Sequence, residues 1–599
     1  MLNGRIVAVL LFLVGCSTAG AASAQQRTLA DNWNDYLHYA KIGNLDLAKG
    51  YAQAILQSDP DPVALLELVQ ANPTGYELAM RVVNTASDTD LVALTKKLLG
   101  VIDLGRFMRR SDPQVIVEEV RRLSGTVRAR MNATTRLKNA GEYAIPFMLD
   151  ALADPARRAE MDVIIETLPQ IGRPAIRPLV AALQTQNSTV KAEIIRALGK
   201  IGYPQSLAYL RYVVENDPSA ELRDLATQSI RLIDPRAVNT PAASLFFNLG
   251  ERYYHHDESL APQEGAPIAN VWFWDEGTSR LERVEVAPVY FYELMSMRCC
   301  EWSLKADAQF GLSIGLWLAA FFKAESTGLP MPEYFGPNHA GALVYATTAG
   351  PEYLHQALAR AISDRNAAVA LGAVEALATN AGERSLLYAV GPVQPVLQAL
   401  VFPDRAVRYS AAIAIANAGP RQGFNESGLV VRNLAEALAQ GGTAAESSAD
   451  WTPELADRYA LRAAQAMLKV AVSRNPVIDL LQAQSALIAA THDNREQIQV
   501  LAGQILAYLN SPNAQRAIAE AALDGSASMD VRIAAFGSLA NSAKMNGNLL
   551  PDATVARIYA LTSSDQTEPD LRAAAAAAYG ALNLPSQMVK TLILDQAKS

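Results

Sequence analysis

The chain has 599 residues, of which 50% are hydrophobic, 7% aromatic and 19% charged, and its formal net charge is −8 at pH 7. A chain this apolar is not disordered, and its acidic balance argues against a general nucleic-acid binder, a class that is normally basic. Few aromatic and many alanine residues favour tightly packed helices over an aromatic-rich β-sandwich. At roughly 150 residues per domain, the length fits about four compact domains or one extended array.

The first 24 residues are predicted to be a signal peptide. Arg5 precedes an apolar stretch at 6–14, which is too short to span a membrane. The stretch is followed by Gly-Cys at Cys16 and resembles a bacterial lipobox, so Cys16 is the predicted lipidation site, with cleavage after Ala24 as the alternative. By that resemblance, Ser17 after the cysteine favours the outer membrane. We therefore expect an exported, periplasmic protein that is anchored to the outer membrane.

Residues 28–140 are predicted to form an N-terminal helical region that opens with a helical hairpin. The residues that define the hairpin are Trp33, Tyr39, Gly43, Ala48, Ala52 and Pro60. Their spacing resembles one tetratricopeptide repeat, although Ile55 stands where that family prefers alanine. Further on, residues 106–138 hold nine basic and three acidic side chains, a local net charge of +6. This segment is either a solvated helix with paired charges or a face for anionic lipid or an acidic partner.

Internal repeats are the most informative feature of the sequence. Three segments align with one another: 141–152, 172–183 and 391–400. In each of them, a turn marked by Gly or Pro is followed by apolar residues at helical spacing. In the helices that follow such turns, an aliphatic anchor residue, often followed by Arg or Lys, precedes another apolar residue by eight positions. The anchor residues are Val190, Leu222, Val369, Val407, Val531 and Leu571. Because one helix pair cannot bury its apolar stripe alone, repeated pairs predict a stack, the α-solenoid.

The repeats resemble HEAT repeats, especially the short kind also found in phycobiliprotein lyases. The resemblance lies in their spacing, in the Asp-x-x-Val-Arg pattern at Asp404 and in the Gly-Pro turns. The resemblance covers 141–235, 350–420 and 476–599, and a helix with a mobile loop near 440–450 is predicted between the last two, at 421–475. Proteins with this solenoid serve as scaffolds, inhibitors and a few enzymes, so lyase activity is not implied. Asp404 and Asp530 are expected to cap the second helices of their repeats.

The segment 236–349 departs from the repeats and is called the insert. Positions 245–335 hold 17 of the 41 aromatic residues of the chain. The stretches 271–274 and 281–286 flank a glycine-containing turn and predict a β-hairpin, and two helices are expected at about 290–304 and 307–325. The string 270–325 resembles exported HEAT-repeat proteins of planctomycete-like bacteria, a resemblance that implies no activity.

The insert is the predicted partner-binding region, because aromatic side chains are enriched at binding hot spots. The alternative interpretation is that a hairpin lying off a solenoid needs an aromatic core of its own. The candidate partner-binding residues are Tyr253, Tyr254, His255, Trp272 and Trp274.

The sequence contains no strong combination of residues and spacings that is typical of a catalytic site. His255 and Glu258 share a helix face but lack the spacing of a helical zinc site. A G-x-S-x-G match around Ser313 lies inside an apolar helical run. A nucleophile elbow needs a strand before the serine and a helix after it, so these glycines are expected to allow close helix packing instead. Cys299 and Cys300 are expected to be small core residues. We therefore predict no catalytic residue, no metal and no cofactor.

These observations predict an all-α protein, an α-solenoid of stacked helical hairpins with an aromatic-rich insert that contains a small β-hairpin. The predicted function is that of an exported scaffold, which binds protein partners through the solenoid surface and the insert, without catalysis and without nucleic acid. The alternative is a ligand- or metal-binding protein or an enzyme, with its site in 245–335 around His255, Glu258, Trp272 and Trp274.

Overall fold

The computed structural model describes residues 27–262, 268–441 and 451–584, and the separate positions 587, 590, 593, 594 and 597. The predicted signal peptide with Cys16, and positions 442–450 of the predicted loop, lie outside the described residues. The chain forms two compact units, the first ending at Thr167 and the second starting at Leu168. Helices dominate both units, and the described part contains one two-stranded sheet, which confirms the predicted fold class.

The described part of the first unit consists of nine α-helices. Their bounds are α1 Leu29–Ile42, α2 Leu45–Gln57, α3 Pro62–Ala71, α4 Pro73–Thr85, α5 Thr89–Ser111, α6 Pro113–Arg122, α7 Val127–Ala140, α8 Ile145–Ala153 and α9 Met161–Thr167. Trp33, Tyr36 and Ile55 are almost completely buried in the core that joins α1 to α5. Inside this core the hydroxyls of Tyr36 and Thr95 share a hydrogen bond of 3.0 Å, so these two buried hydroxyls satisfy each other.

The first two helices form the hairpin predicted at the N-terminus. Thr28 caps α1 by accepting a hydrogen bond from the backbone N–H of Asp31, whose carboxylate accepts one from the Thr28 N–H in return. The helix ends at Gly43, whose φ of 76° is costly for residues with a side chain. Ala48 and Ala52 are fully buried, and their small side chains let α2 approach its neighbours closely.

Helices α3 and α5 cross at Gly105. A Cβ atom at this position would lie 2.1 Å from the carbonyl oxygen of Pro62, so the crossing requires glycine. Gly100, on the same helix, is exposed, and a Cβ atom there would have nothing within 4 Å. Of these two glycines in α5, only Gly105 is therefore demanded by packing.

The second unit contains a β-hairpin and a long series of helices. Up to the hairpin and through it, the bounds are α10 Ile176–Ala182, α11 Ser188–Ile201, α12 Leu207–Asn216, α13 Ala220–Ile233, α14 Ala242–Tyr254, β1 Ala269–Asp275 and β2 Arg280–Val286. The next helices are α15 Phe291–Ala306, α16 Leu312–Glu325, α17 Ala342–Ala349, α18 Pro351–Ser363, α19 Ala367–Asn380, α20 Glu383–Leu386, α21 Pro395–Ala399 and α22 Arg405–Ala418. The last are α23 Ser427–Leu438, α24 Pro453–Val472, α25 Gln484–Ala490, α26 Glu496–Leu506, α27 Pro512–Leu523, α28 Met529–Asn546, α29 Asp552–Ser563 and α30 Pro569–Ala581. None of the described helices is both long and apolar enough to cross a bilayer.

Helices of the second unit stack as the repeat pattern predicts. The helix α11 packs on α13, and α19, α22, α24, α26, α28 and α30 pack on one another in succession. All six anchor residues are buried, with exposed fractions of at most 7%. Asp404 caps α22 by accepting a hydrogen bond from the Val407 N–H at 3.1 Å, as predicted. The cap predicted at Asp530 is wrong, because α28 begins earlier and is capped by Ser528.

The insert continues the stack. The helix α14 packs along α15, α15 packs on α16, and α16 packs on α18. Ser296 on α15 donates a hydrogen bond to the carbonyl of Gly250 on α14 at 2.9 Å, and Ser313 on α16 donates one to Ser303 on α15 at 2.8 Å. Small buried residues thus let the three helices meet closely, and one buried core runs from the insert to the last helices of the unit.

The two strands form an antiparallel hairpin at the position predicted from the aromatic stretch. Ala269 pairs with Val286, and Asp275 pairs with Arg280 at the turn. The Asp275 carboxylate accepts a hydrogen bond from the Gly277 N–H at 2.9 Å, which holds the turn. The hairpin packs on α10, so it extends from the insert back onto the preceding repeats.

Candidate partner-binding cleft

A cleft of about 250 Å³ opens where the repeats of the second unit meet the insert. One wall comes from α10, α11 and α12, and the other comes from α15 and the hairpin turn. This volume is slightly below the roughly 300–1,000 Å³ of typical small-molecule sites, and it suits one or two inserted side chains. The side chains that give the cleft its chemical character are Lys191, Tyr209, Tyr212, Asp217, Trp302 and Lys305.

An aromatic cluster forms the floor of the cleft. The Trp302 ring stacks on Phe246 with centroids 5.8 Å apart, and it meets the rings of Tyr212 and Tyr209 edge-on at 5.1 and 5.9 Å. Tyr209 is almost fully buried, and burial raises the pKa of its hydroxyl well above the usual value, so the group stays neutral. Rings from three helices therefore give the floor a fixed shape.

The charges at the cleft are only partly paired. Lys191 Nζ donates a hydrogen bond to Asp217 Oδ2 at 2.8 Å, and the two side chains are only 13% and 5% exposed. The second oxygen of Asp217 accepts a hydrogen bond from the Ser219 N–H at 3.0 Å. Lys305 Nζ lies 4.6 Å from the centre of the Trp302 ring and forms no ion pair with any described residue. The mouth of the cleft therefore carries a cation without a carboxylate partner in the described chain.

A smaller recess of about 20 Å³ shares part of its lining with the cleft and is large enough for one water molecule. Arg298 of α15 lines the recess, and its guanidinium lies 3.9 Å from the centre of the Phe273 ring. Trp272 and Gln205 line it too, and the Gln205 amide donates a hydrogen bond to the Tyr253 hydroxyl at 2.7 Å. Arg298 therefore borders the recess while its guanidinium stacks on the Phe273 ring.

Two of the five predicted partner-binding residues lie on the hairpin. Trp272 is 6% exposed and lines the recess. Trp274 pairs with Leu281 across the strands and is half-buried. Because alternate strand residues share a face, Trp274 lies on the same side of the hairpin as Trp272. The structure therefore brings Trp272 to the recess, with Trp274 on the same face of the hairpin.

The other three predicted residues lie elsewhere. Tyr253 is 0% and Tyr254 2% exposed, because α14 packs on both sides against neighbouring helices. The cations of Lys323 and Arg360 lie 4.8 and 5.3 Å from the centre of the Tyr254 ring. His255 is exposed, but it does not line the cleft. The two tyrosines are therefore part of the core, and their burial does not fit the direct partner contact that was predicted for them.

Sequence reasoning missed a buried charge cluster where α14, α15 and α16 approach one another. The Glu293 carboxylate, 2% exposed, shares a hydrogen bond of 2.5 Å with His256 Nε2 and lies 3.1 Å from Lys323 Nζ. The His256 backbone has a φ of 55°, and its ring stacks on Tyr292 at 4.5 Å. Burial alone would raise the pKa of Glu293, but the His256 hydrogen bond and the Lys323 charge lower it below the usual value. No local motif reveals this cluster, because its members are far apart in sequence.

The G-x-S-x-G match is a packing motif. Ser313 is fully buried and hydrogen bonds to another serine, and a Cβ atom at Gly315 would lie 2.9 Å from the Cβ of Gln356. Within the described ranges, no three His, Cys, Asp or Glu side chains come together closely enough to hold a metal ion.

Cys299 and Cys300 are free thiols that are fully buried in α15. Burial raises the pKa of both thiols well above the usual value, so little reactive thiolate forms. We expect neither cysteine to react with iodoacetamide in the folded protein at about pH 8, and both to react after unfolding in guanidinium chloride. Mass spectrometry of the peptide that contains both residues measures this, and labelling of the folded protein would contradict their burial.

The basic segment 106–138 lies in the first unit. Arg122 and Arg136 both pair with Glu119, which is only 3% exposed, and Arg106 pairs with Asp103 at 3.0 Å. The exposed cations of this segment that form no ion pair within the described chain are Arg121, Arg128 and Lys138. The segment therefore combines paired, solvated charges with a few unpaired ones.

Comparison with known proteins identifies the repeats. Residues 145–231 match the family model of HEAT repeats. No curated protein sequence matches the chain. UNC-45 from Drosophila melanogaster is 12% identical, with 94% of this chain and 77% of that chain aligned and a TM-score of 0.31. Kap121p bound to Pho4p is 12% identical over 91% of this chain and only 56% of that chain, with a TM-score of 0.27. Yeast importin-β, Kap95p, is 10% identical over 93% and 68%, with a TM-score of 0.26.

The matched range extends from α8 into α13. It includes the anchor residues Val190 and Leu222 and the three repeat helices that line the cleft. The HEAT-like pattern recognised in the sequence is therefore confirmed over residues 145–231, whereas the resemblance to exported planctomycete-like proteins stays a prediction. Residues 145–231 of this chain are therefore similar to HEAT repeats.

Proposed function

We propose that this protein is an exported scaffold that binds protein partners in the cleft between the repeats and the insert and performs no catalysis. The observation that carries the proposal is the composition of the cleft, an aromatic floor with charged and amide groups around it. Trp, Tyr and Arg dominate interface hot spots, and Trp302 and Tyr212 supply two of these types in the cleft. Stacked repeats suit such a role, because they offer extended binding surfaces on a stable framework.

Site-specific photo-crosslinking in the native host tests the scaffold. With benzoylphenylalanine in place of Tyr212, at the cleft, we expect a discrete crosslinked protein, and we expect none with the same residue in place of Lys544, which is exposed on α28. Lys305→Glu should reduce the yield of the crosslink at least tenfold, because it reverses a charge at the mouth, while Lys544→Glu should leave it unchanged. Absence of a crosslink at the cleft, or equal crosslinks from both positions, would overturn the proposal.

Export with a lipid anchor is a separate part of the proposal and rests on the sequence around Cys16. We expect a cell-grown protein to incorporate an alkyne-tagged fatty acid, and we expect Cys16→Ala to abolish the label. Cys299→Ala is the matched control, because it removes a buried cysteine and should leave the label intact. A wild-type N-terminus at Gln25, after cleavage at Ala24, would show simple secretion and refute the anchor.

A further inference from the structure

We propose that the exposed face of α7 is a docking surface for anionic phospholipid, which holds the first unit against a bilayer surface. This goes beyond the proposed function and shares with it only the lipid anchor. It follows from the charges of the helix, from two exposed apolar side chains beside those charges and from the short chain between Cys16 and the first unit.

The helix α7 belongs to a cationic stretch without acidic residues. Residues 120–141 contain five arginines, one lysine and neither Asp nor Glu. On the preceding helix, Arg122 forms ion pairs with both Glu118 and Glu119. The next carboxylate along the chain, Glu142, is only 3% exposed. The charge that α7 presents to solvent is therefore positive, in a chain whose net charge is −8.

Two cations of α7 have no carboxylate partner. Arg128 and Lys138 are exposed, and neither side chain forms an ion pair with any described residue. Arg136, on the same helix, is paired with Glu119 and is left out of the surface for that reason. Each basic side chain held near an anionic lipid surface strengthens binding about fivefold, so two unpaired cations give a measurable preference for such a surface.

Two apolar side chains are exposed beside these cations. Val127 is 72% and Met131 66% exposed, although the helix buries Leu137 on its other side. Because positions four and seven residues apart meet on one helix face, Val127, Met131 and Lys138 share a face, and Arg128 lies at its edge. In the headgroup region of a bilayer, such apolar groups reach the acyl chains while the long cationic side chains reach the phosphates. This composition favours a lipid surface over an acidic protein.

A lipidated Cys16 would keep this face near a bilayer. Arg27 follows Cys16 by eleven residues, and a chain of eleven residues spans at most about 40 Å when it is fully extended. Arg27 pairs with Asp35 on α1 at 2.8 Å, in the same compact unit as α7. The anchor therefore gives α7 a high effective concentration of lipid, so that a modest intrinsic affinity is enough to hold the unit at the surface.

The experiment measures sedimentation with vesicles of the chain from Gln25, which lacks the anchor and retains every described residue. We expect it to bind phosphatidylethanolamine vesicles with about 30% phosphatidylglycerol at least tenfold more tightly than phosphatidylcholine vesicles, and to dissociate as salt rises from about 0.05 to 0.5 M. Arg128→Gln combined with Lys138→Gln should weaken binding at least tenfold. The matched control, Lys96→Gln with Lys97→Gln, removes two exposed cations of α5 in the same unit and should change binding less than about twofold.

A fluorophore on the face reports insertion directly. With nitrobenzoxadiazole attached to Met131→Cys, we expect a blue shift and brighter emission on the anionic vesicles, and no change with the same label on Lys97→Cys. The native thiols of Cys299 and Cys300 are buried and stay unlabelled in the folded chain.

Equal binding to the two kinds of vesicle, or an equal loss from the two double substitutions, would overturn the proposal. Binding of soluble polyglutamate as tightly as the anionic vesicles, with no blue shift at position 131, would assign the face to an acidic protein and refute a lipid surface. These outcomes leave the crosslink at the cleft and the fatty-acid label at Cys16 unaffected, so the proposed function is decided separately.

Discussion

Gly105→Ala is expected to destabilise the first unit by about 3 kcal/mol, at the upper end of the cost of overpacking. The added methyl group would lie 2.1 Å from the carbonyl oxygen of Pro62, and a backbone atom cannot rotate away as a side chain can. The helices α3 and α5 would have to separate, and the buried contacts of Leu66 beside the crossing would open. Chemical unfolding measures the loss, and hydrogen exchange of peptides from α3 and α5 assigns it to this crossing.

The matched control for this change is Gly100→Ala on the same helix. Nothing lies within 4 Å of a Cβ atom at Gly100, so alanine should stabilise α5 by about 0.5–1 kcal/mol through its helix propensity. The two substitutions therefore have opposite signs. A stabilising or neutral Gly105→Ala would show that α3 and α5 do not cross as closely as the structure has them.

Lys323→Met is expected to lower the free energy of unfolding by about 3 kcal/mol, the low end of the range for a buried carboxylate that loses a partner. Lys323 Nζ lies 3.1 Å from the buried Glu293 and donates to the Tyr254 carbonyl at 2.8 Å. The cost is at the low end because His256 still hydrogen bonds to Glu293. Arg557→Met, which breaks an ion pair with both side chains 53% and 41% exposed, should cost less than about 1 kcal/mol.

The effect of Lys323→Met should depend on pH. The folded-state pKa of Glu293 is below the ordinary value of 4.5. The charged carboxylate therefore contributes its full stabilisation above pH 4.5, and this stabilisation is lost as the pH falls through the folded-state pKa. The difference in the free energy of unfolding between wild type and Lys323→Met should therefore become smaller at low pH. In a Glu293→Gln background, this pH dependence should disappear. Thermal unfolding between about pH 7 and pH 3 tests this, and a constant difference would contradict it.

The helical stack could be predicted because its signal is local and periodic. Residues such as Val407 and Ile415 lie eight positions apart on one helix face, and they are buried as the pattern requires. The continuity of the core through the insert could not be predicted. It depends on small residues such as Gly250 and Ser296, which meet across helices and have no period of their own.

The cleft was only partly predictable for a similar reason. A high local density of aromatic residues pointed to the insert and to Trp272, which does line the recess. The same density also pointed to Tyr253 and Tyr254, because amino-acid composition alone does not distinguish a buried helix face from an exposed one. The other wall comes from Tyr212 and Lys191 in the repeats, and pairing distant segments requires the fold itself.

The position of the cleft in the stack bears on how the chain can change during evolution. Among the described residues, the main packing contacts of helices α22 to α30 are with near neighbours, so pairs can be duplicated or lost at that end with little effect on distant residues. The helix α15 is different, because it carries one wall of the cleft and also joins the core of the insert to the repeats. Length variation among descendants of this chain should therefore concentrate after α22, while the segment from α10 to α16 keeps its length.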